Sequence, residues 1–89
     1  MSEAENRVIG DLLRDIRLDM GMSQSQVAAR CGVRQPFISK VEHGERELSA
    51  IEILPYAKAL GISDERLYHE IRKALLANAT RLRAAQEKA

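Results

Sequence analysis

Between Gln35 and Lys40 the chain reads Gln-Pro-Phe-Ile-Ser-Lys, and Gln35, Pro36, Ser39 and Lys40 are side chains that could read a planar ligand edge. The Gln35 amide offers a donor and an acceptor, the Ser39 hydroxyl offers both, the Lys40 ammonium only donates, and Pro36 presents an apolar ring. At these spacings they lie around one side of a helix, with His43, while Ile38 and Val41 point inward. The chemistry is recognition without bond making. Base edges of a DNA duplex fit the set: Gln35 suits adenine, Lys40 suits guanine, and Pro36 can touch a thymine methyl. A solvated polar face would use the same residue types, and that alternative stays open at this level.

Nothing in the chain suits covalent catalysis. No Gly-rich phosphate loop and no nucleophile–base set occurs, His43 and His69 lack metal-ligand spacing, and Cys31, the only cysteine, can form no internal disulfide. No enzyme, metal or cofactor is expected, and Cys31 reads as a small buried hydrophobe. The 89 residues suffice for one domain. Aromatic residues make up only 3%, tryptophan is absent, and Leu, Ile, Val and Ala dominate without strand-like alternation, so an all-α fold is expected. Net charge is +1 but unevenly spread: residues 71–89 carry five basic side chains against one acidic, residues 23–44 carry three against one, and the remainder is acidic. Basic runs suit nucleic acid, although they also make ordinary solvated faces. Glu3 and Glu5 stand where a signal peptide would carry Lys or Arg, and no apolar run approaches the ~20 residues of a membrane span, so the cytoplasm is the expected location.

These side chains need helices to hold them. Val8, Ile9, Leu12, Leu13, Ile16 and Met20 recur at three- and four-residue steps, predicting a helix between Glu5 and Met20 that Gly21 ends. Ser23 and Gln26 have capping-box spacing for a second, short helix to about Cys31, with Val27, Ala28 and Cys31 inside and Gly32 as a left-handed stop. Pro36 is tolerated in a first turn, so a third helix starts near Gln35 and ends before Gly44. Ser49 and Glu52 repeat the capping box for a fourth helix to Leu60, in which Pro55 either makes a kink or opens the helix proper. Ser63, followed by Asp64 and Glu65, caps a last helix that can run well beyond Leu75.

The order Met22-Ser23-Gln24, Val27-Ala28, Gly32-Val33, Gln35, Ile38-Ser39-Lys40, Glu42-His43-Gly44 and Ala57 to Ser63 resembles the phage repressor and Cro-like helix-turn-helix family, the xenobiotic-response-element regulators. The resemblance covers roughly residues 5 to 70. It implies a compact five-helix, lambda-repressor-like domain over residues 1–76, with the helix-turn-helix at the second and third helices and residues 77–89 extending the last helix. It also implies that Gln35, Pro36, Ser39 and Lys40 lie in the major groove. Phosphate contacts are expected from Ser23 and Gln24 at the amino end of the second helix, and from Arg34 and Arg46 flanking the third. Arg34 departs from the family's usual Ser or Thr cap. Arg17 and Glu42 match positions that form an ion pair tying the first helix to the third. Phe37 reads as a half-buried flank of the core, or else as a contact to DNA sugar or methyl groups.

One short recognition helix reads few base pairs, so two copies on a two-fold operator are expected. Tyr68, Ile71, Leu75 and Leu82 on the last helix are the candidate dimer contacts, although part of this stripe must seal the monomer core, and an exposed tail is the alternative. The function that follows is sequence-specific binding of double-stranded DNA by a transcriptional regulator, a repressor in the first instance, with RNA polymerase or another protein as a further partner. The rival is a protein-interaction module of the same fold, antitoxin-like or sigma-factor-binding.

Overall fold

The computed structural model describes residues 2–88, excepting the side chains of Leu82 and of residues 86–88. Five helices follow one another: α1 (Glu3–Asp19), α2 (Gln24–Cys31), α3 (Gln35–Glu42), α4 (Ala50–Leu60) and α5 (Asp64–Lys88). Helix α1 begins earlier than the apolar periodicity indicates, because the Ser2 hydroxyl accepts from the Glu5 amide while the Glu5 carboxylate accepts from the Ser2 amide. Those Ser2 contacts also hold the Glu5 carboxyl below its ordinary pKa. The capping boxes at Ser23–Gln26 and Ser49–Glu52 form as expected. Ser49 therefore opens α4, and Pro55 sits inside a helix that continues to Leu60. Ser63 caps α5 by accepting from the Arg66 amide.

The core lies where α1, α2, α3 and α4 meet the first half of α5. Leu13, Val27, Ile38, Leu60 and Leu67 are fully buried there, and Tyr56 is 1% exposed. Two glycines set the helix geometry. Gly32 takes φ +71, which turns the chain from α2 into α3 with no cost in Cβ sterics. Gly10 has ordinary helical backbone but lies against α3 so closely that a Cβ would meet the Val41 carbonyl oxygen at 2.5 Å. That approach seats the carboxyl end of α3 directly on α1. Helix α5 runs unbroken to Lys88, and none of the described helices is long and apolar enough to cross a membrane.

Candidate nucleic-acid interface

Helix α3 stands on Ile38 and Val41, which are 0% and 2% exposed, and turns its other side outward. Gln35, Pro36 and Lys40 are exposed and Ser39 is half-buried, so the four expected reading positions share one outer surface. Arg34 opens α3 without any side-chain cap; Pro36 has no amide hydrogen to satisfy, and the Phe37 amide donates to the Arg34 carbonyl oxygen at 3.0 Å. His43 closes it, with Nδ1 2.7 Å from the Ser39 carbonyl oxygen.

A hydrogen-bonded chain runs from the interior to this surface. Arg17 and Glu42 are 8% and 4% exposed and form a forked pair, Nε to Oε2 at 2.6 Å and Nη2 to Oε1 at 2.9 Å. Arg17 Nη1 also donates to the Met22 carbonyl at 2.9 Å, fixing the loop before α2. These bonds with Glu42 raise the Arg17 pKa above its ordinary value, so the guanidinium stays charged. Glu42 Oε1 further accepts from Gln24 Nε2 at 3.0 Å, and Gln24 Oε1 accepts from Gln35 Nε2 at 2.6 Å. The expected ion pair is thus present, and Gln24, expected only at phosphate, is also the link that fixes Gln35. A polar residue opening α2 is visible in sequence. Its partners are not, since they come from α3.

The remaining expected contacts fare differently. Ser23 spends its acceptor on the Gln26 amide but keeps a hydroxyl proton to donate. Arg46 is held by Glu52 through two bonds of 3.0 and 2.8 Å, donates to the Glu47 carbonyl, and stacks 4.2 Å from the centre of the Phe37 ring. That clamp, with the Ser49 cap, pulls the Glu52 carboxyl down to about 2. Phe37 is half-buried against the core, as its sequence position indicates, with Arg46 as its outer cover. Beside Gln24 and His43, a cleft of about 370 Å³ gathers Arg7, Arg14 and Arg17 from α1 together with Asp11; Arg7 and Arg14 are exposed cations that the sequence reading did not single out. Their signal was the seven-residue spacing of Arg7 and Arg14 on a helix.

Of the dimer candidates, Tyr68 is 65% exposed, Leu75 is half-buried, and Ile71 is spent on the monomer core at 7% exposure. Leu82 lies outside the residues whose side chains are described. Leu54 of α4 and Leu76 of α5, both exposed, each share a groove with Tyr68. One groove lies between α4 and the start of α5 and a second runs along α5, and Tyr68 lines both. Cys31 is half-buried and burial pushes its thiol up, consistent with a packing role. Among the described residues, no group of three or more His, Cys, Asp or Glu is placed to hold a metal ion.

A family model described as helix-turn-helix matches residues 13–67. The HTH-type transcriptional regulator y4dJ of Sinorhizobium fredii is 33% identical over 57 residues, which is 64% of this chain and 74% of that protein. The restriction-modification controller protein C.AhdI of Aeromonas hydrophila superposes with a TM-score of 0.69 at 34% identity, covering 73% of this chain and 94% of its own. The controller protein C.Esp1396I, solved as a tetramer in complex with its natural 35 base-pair operator, superposes with a TM-score of 0.73 at 25% identity over 81% and 95% of the two chains.

Proposed function

The chain belongs to the helix-turn-helix transcriptional regulators of the xenobiotic-response-element type, and from that premise we propose that it occupies a pseudopalindromic operator as a homodimer and represses transcription there. The observation that carries this reading is the braced, outward ridge of α3: Gln35 is tied through Gln24 to a buried ion pair while Lys40 stands free beside it. A braced ridge suits a rigid groove because its side chains are ordered before binding. Gln35 then reads adenine with its remaining amide proton and its oxygen, Lys40 donates to guanine, Pro36 covers a thymine methyl, and Ser39 serves either partner. The first amides of α2, the Ser23 hydroxyl and the Arg34 guanidinium hold phosphates, joined by Arg7 and Arg14 from the adjacent cleft.

Two copies meet through Tyr68, Leu75 and Leu76 of α5 with Leu54 of α4, apolar side chains that line two grooves sharing Tyr68. Two-fold symmetry calls for a palindromic operator, and the helical repeat of DNA sets its half-sites about 34 Å apart. The likeness to a controller solved on its operator supports DNA over the toxin- or sigma-binding alternative, and the cytoplasm is where such a protein works. Selection from random duplexes, followed by titration at graded salt, tests the reading. A recovered palindrome bound by dimers with a log–log salt slope near −5, as for about six phosphates, is expected. Equal affinity for selected and random duplexes, or a flat salt response, would overturn it.

A further inference from the structure

Helix α1 segregates its charges. At about 100° per residue, Arg7, Arg14 and Arg17 fall within one arc of about 80°, Asp11 borders it and lines the same cleft, and Asp15 and Asp19 lie farther round the helix. The arginine edge faces Gln24, Glu42 and His43, next to the α3 ridge. Asp15 and Asp19 instead border a separate groove of about 290 Å³ between α1 and α5. Its floor is apolar, formed by Leu12, Ile16, Met20 and Ile62. Its rim carries Asp15, Asp19 and Glu70 against the single cation Arg66. Glu70 already pairs with Lys73 at 3.3 Å. Asp15 and Asp19 are exposed and, among the described residues, have neither an ion pair nor a hydrogen bond from their side chains.

We propose that this groove docks a short basic amphipathic helix of a partner protein, and that it can do so while α3 is engaged elsewhere. Two free carboxylates one helical turn apart match Lys or Arg at i and i+4 of an incoming helix, with an aliphatic side chain between them reaching Leu12, Ile16 and Ile62. The fit is one of charge and polarity together. The chain's own basic segment, Arg72 to Arg83, cannot fold back into the groove, because α5 forms one wall and continues straight to Lys88. A second copy's segment is the weaker occupant, since its apolar flank at Leu75 and Leu76 borders the Tyr68 side next to α4. The inference stands apart from what α3 binds, because the groove and the α3-facing cleft lie on opposite edges of α1.

The test uses the full chain labelled with ¹⁵N and a Leu/Lys amphipathic peptide, with a scrambled isomer of the same composition as control. Saturable shifts confined to amides around Leu12, Ile16 and Ile62 are expected, weakened at least tenfold in Asp15→Lys/Asp19→Lys. The charge control Glu3→Lys/Glu45→Lys should keep wild-type affinity. The proposal is overturned by equal binding of the scrambled isomer, by shifts elsewhere, by no saturable shift, or by an unaffected Asp15→Lys/Asp19→Lys variant with native spectra. Movement of the same amides with protein concentration alone would assign the groove to a second copy and also overturn it.

Discussion

Replacing Gln24 with alanine should cost specificity while sparing the fold. In the wild type, one amide proton of the exposed Gln35 side chain is taken by Gln24 Oε1 at 2.6 Å, leaving the other proton and the carbonyl oxygen as a donor and an acceptor. Removing Gln24 forfeits a neutral hydrogen bond worth about 0.5–1.5 kcal/mol. It also frees a Gln side chain whose reordering on DNA can cost up to about 2 kcal/mol. Part of that freedom returns in the complex, so the expected loss on the preferred duplex is about 1–2 kcal/mol, or about 5–30-fold in Kd. Stability should fall by about 1.5–3 kcal/mol, the worth of the charge-assisted bond that Gln24 donates to Glu42, and no further, because Glu42 keeps both Arg17 bonds and no buried charge is left alone. Anisotropy titrations at fixed salt would be run on the selected duplex and on variants of it changed at one base pair, beside thermal unfolding. Gln24→Ala should lose discrimination at the pair read by Gln35 and add little to Gln35→Ala in the double variant. Uniform weakening on all duplexes, with additive effects of the two substitutions, would refute the relay and leave Gln24 a phosphate contact only.

Glu42→Ala should destabilise by about 3–5 kcal/mol in chemical denaturation, since Arg17 would remain buried without its partner. Gly10→Ala should cost about 1–3 kcal/mol or more by the same measurement, because the new methyl meets backbone oxygen of α3, which cannot rotate away. The Glu52 carboxyl titrates at about 2 when folded and near 4.5 as a free group, so its contribution is present above about pH 4.5 and is lost as pH falls toward 2. Glu52→Gln should therefore flatten the acid limb of stability across that window, with no added loss at pH 2. Arg46→Ala should lower thermal stability through Phe37 and Glu52; if Arg46 also meets phosphate, the salt slope of DNA binding falls by about one per protomer.

Local rules placed the helices well because their determinants are adjacent in the chain. Ser23 with Gln26 and Ser49 with Glu52 are three-residue signals, and Gly32 needs only its own φ. The start of α1 was missed by two residues only because apolar periodicity begins at Val8, whereas the Ser2–Glu5 box was equally local. Pro55 was ambiguous because a proline inside a helix and one opening it share the same neighbours in sequence. The tertiary context chose between them by burying Tyr56, Ala57 and Leu60 on a continuous α4. Side-chain partners across helices were legible only through resemblance, as with Arg17 and Glu42, or not at all, as with Gln24 and Gln35. Pairings of that kind depend on where two helices cross. The position of Gly10, which decides how near α1 and α3 approach, carries no periodic signal of its own.

The near-neutral net charge is compatible with a polyanionic ligand because the cations are not equivalent. Arg17 is consumed by Glu42 and Arg46 by Glu52, so neither counts fully toward the outer potential. Arg34 and Lys40 flank the α3 ridge unpaired among the described residues, and Arg7 and Arg14 line the cleft beside it. The free carboxylates Asp15 and Asp19 sit across α1 from that surface, where a charge must act through or around the helix instead of directly on a ligand at α3. At physiological ionic strength, screening over about 8 Å limits how far those carboxylates oppose a phosphate bound near Gln24. Separation by helix edge therefore lets one small domain present a cationic face and an acidic groove at once, and the sum of its charges conceals both.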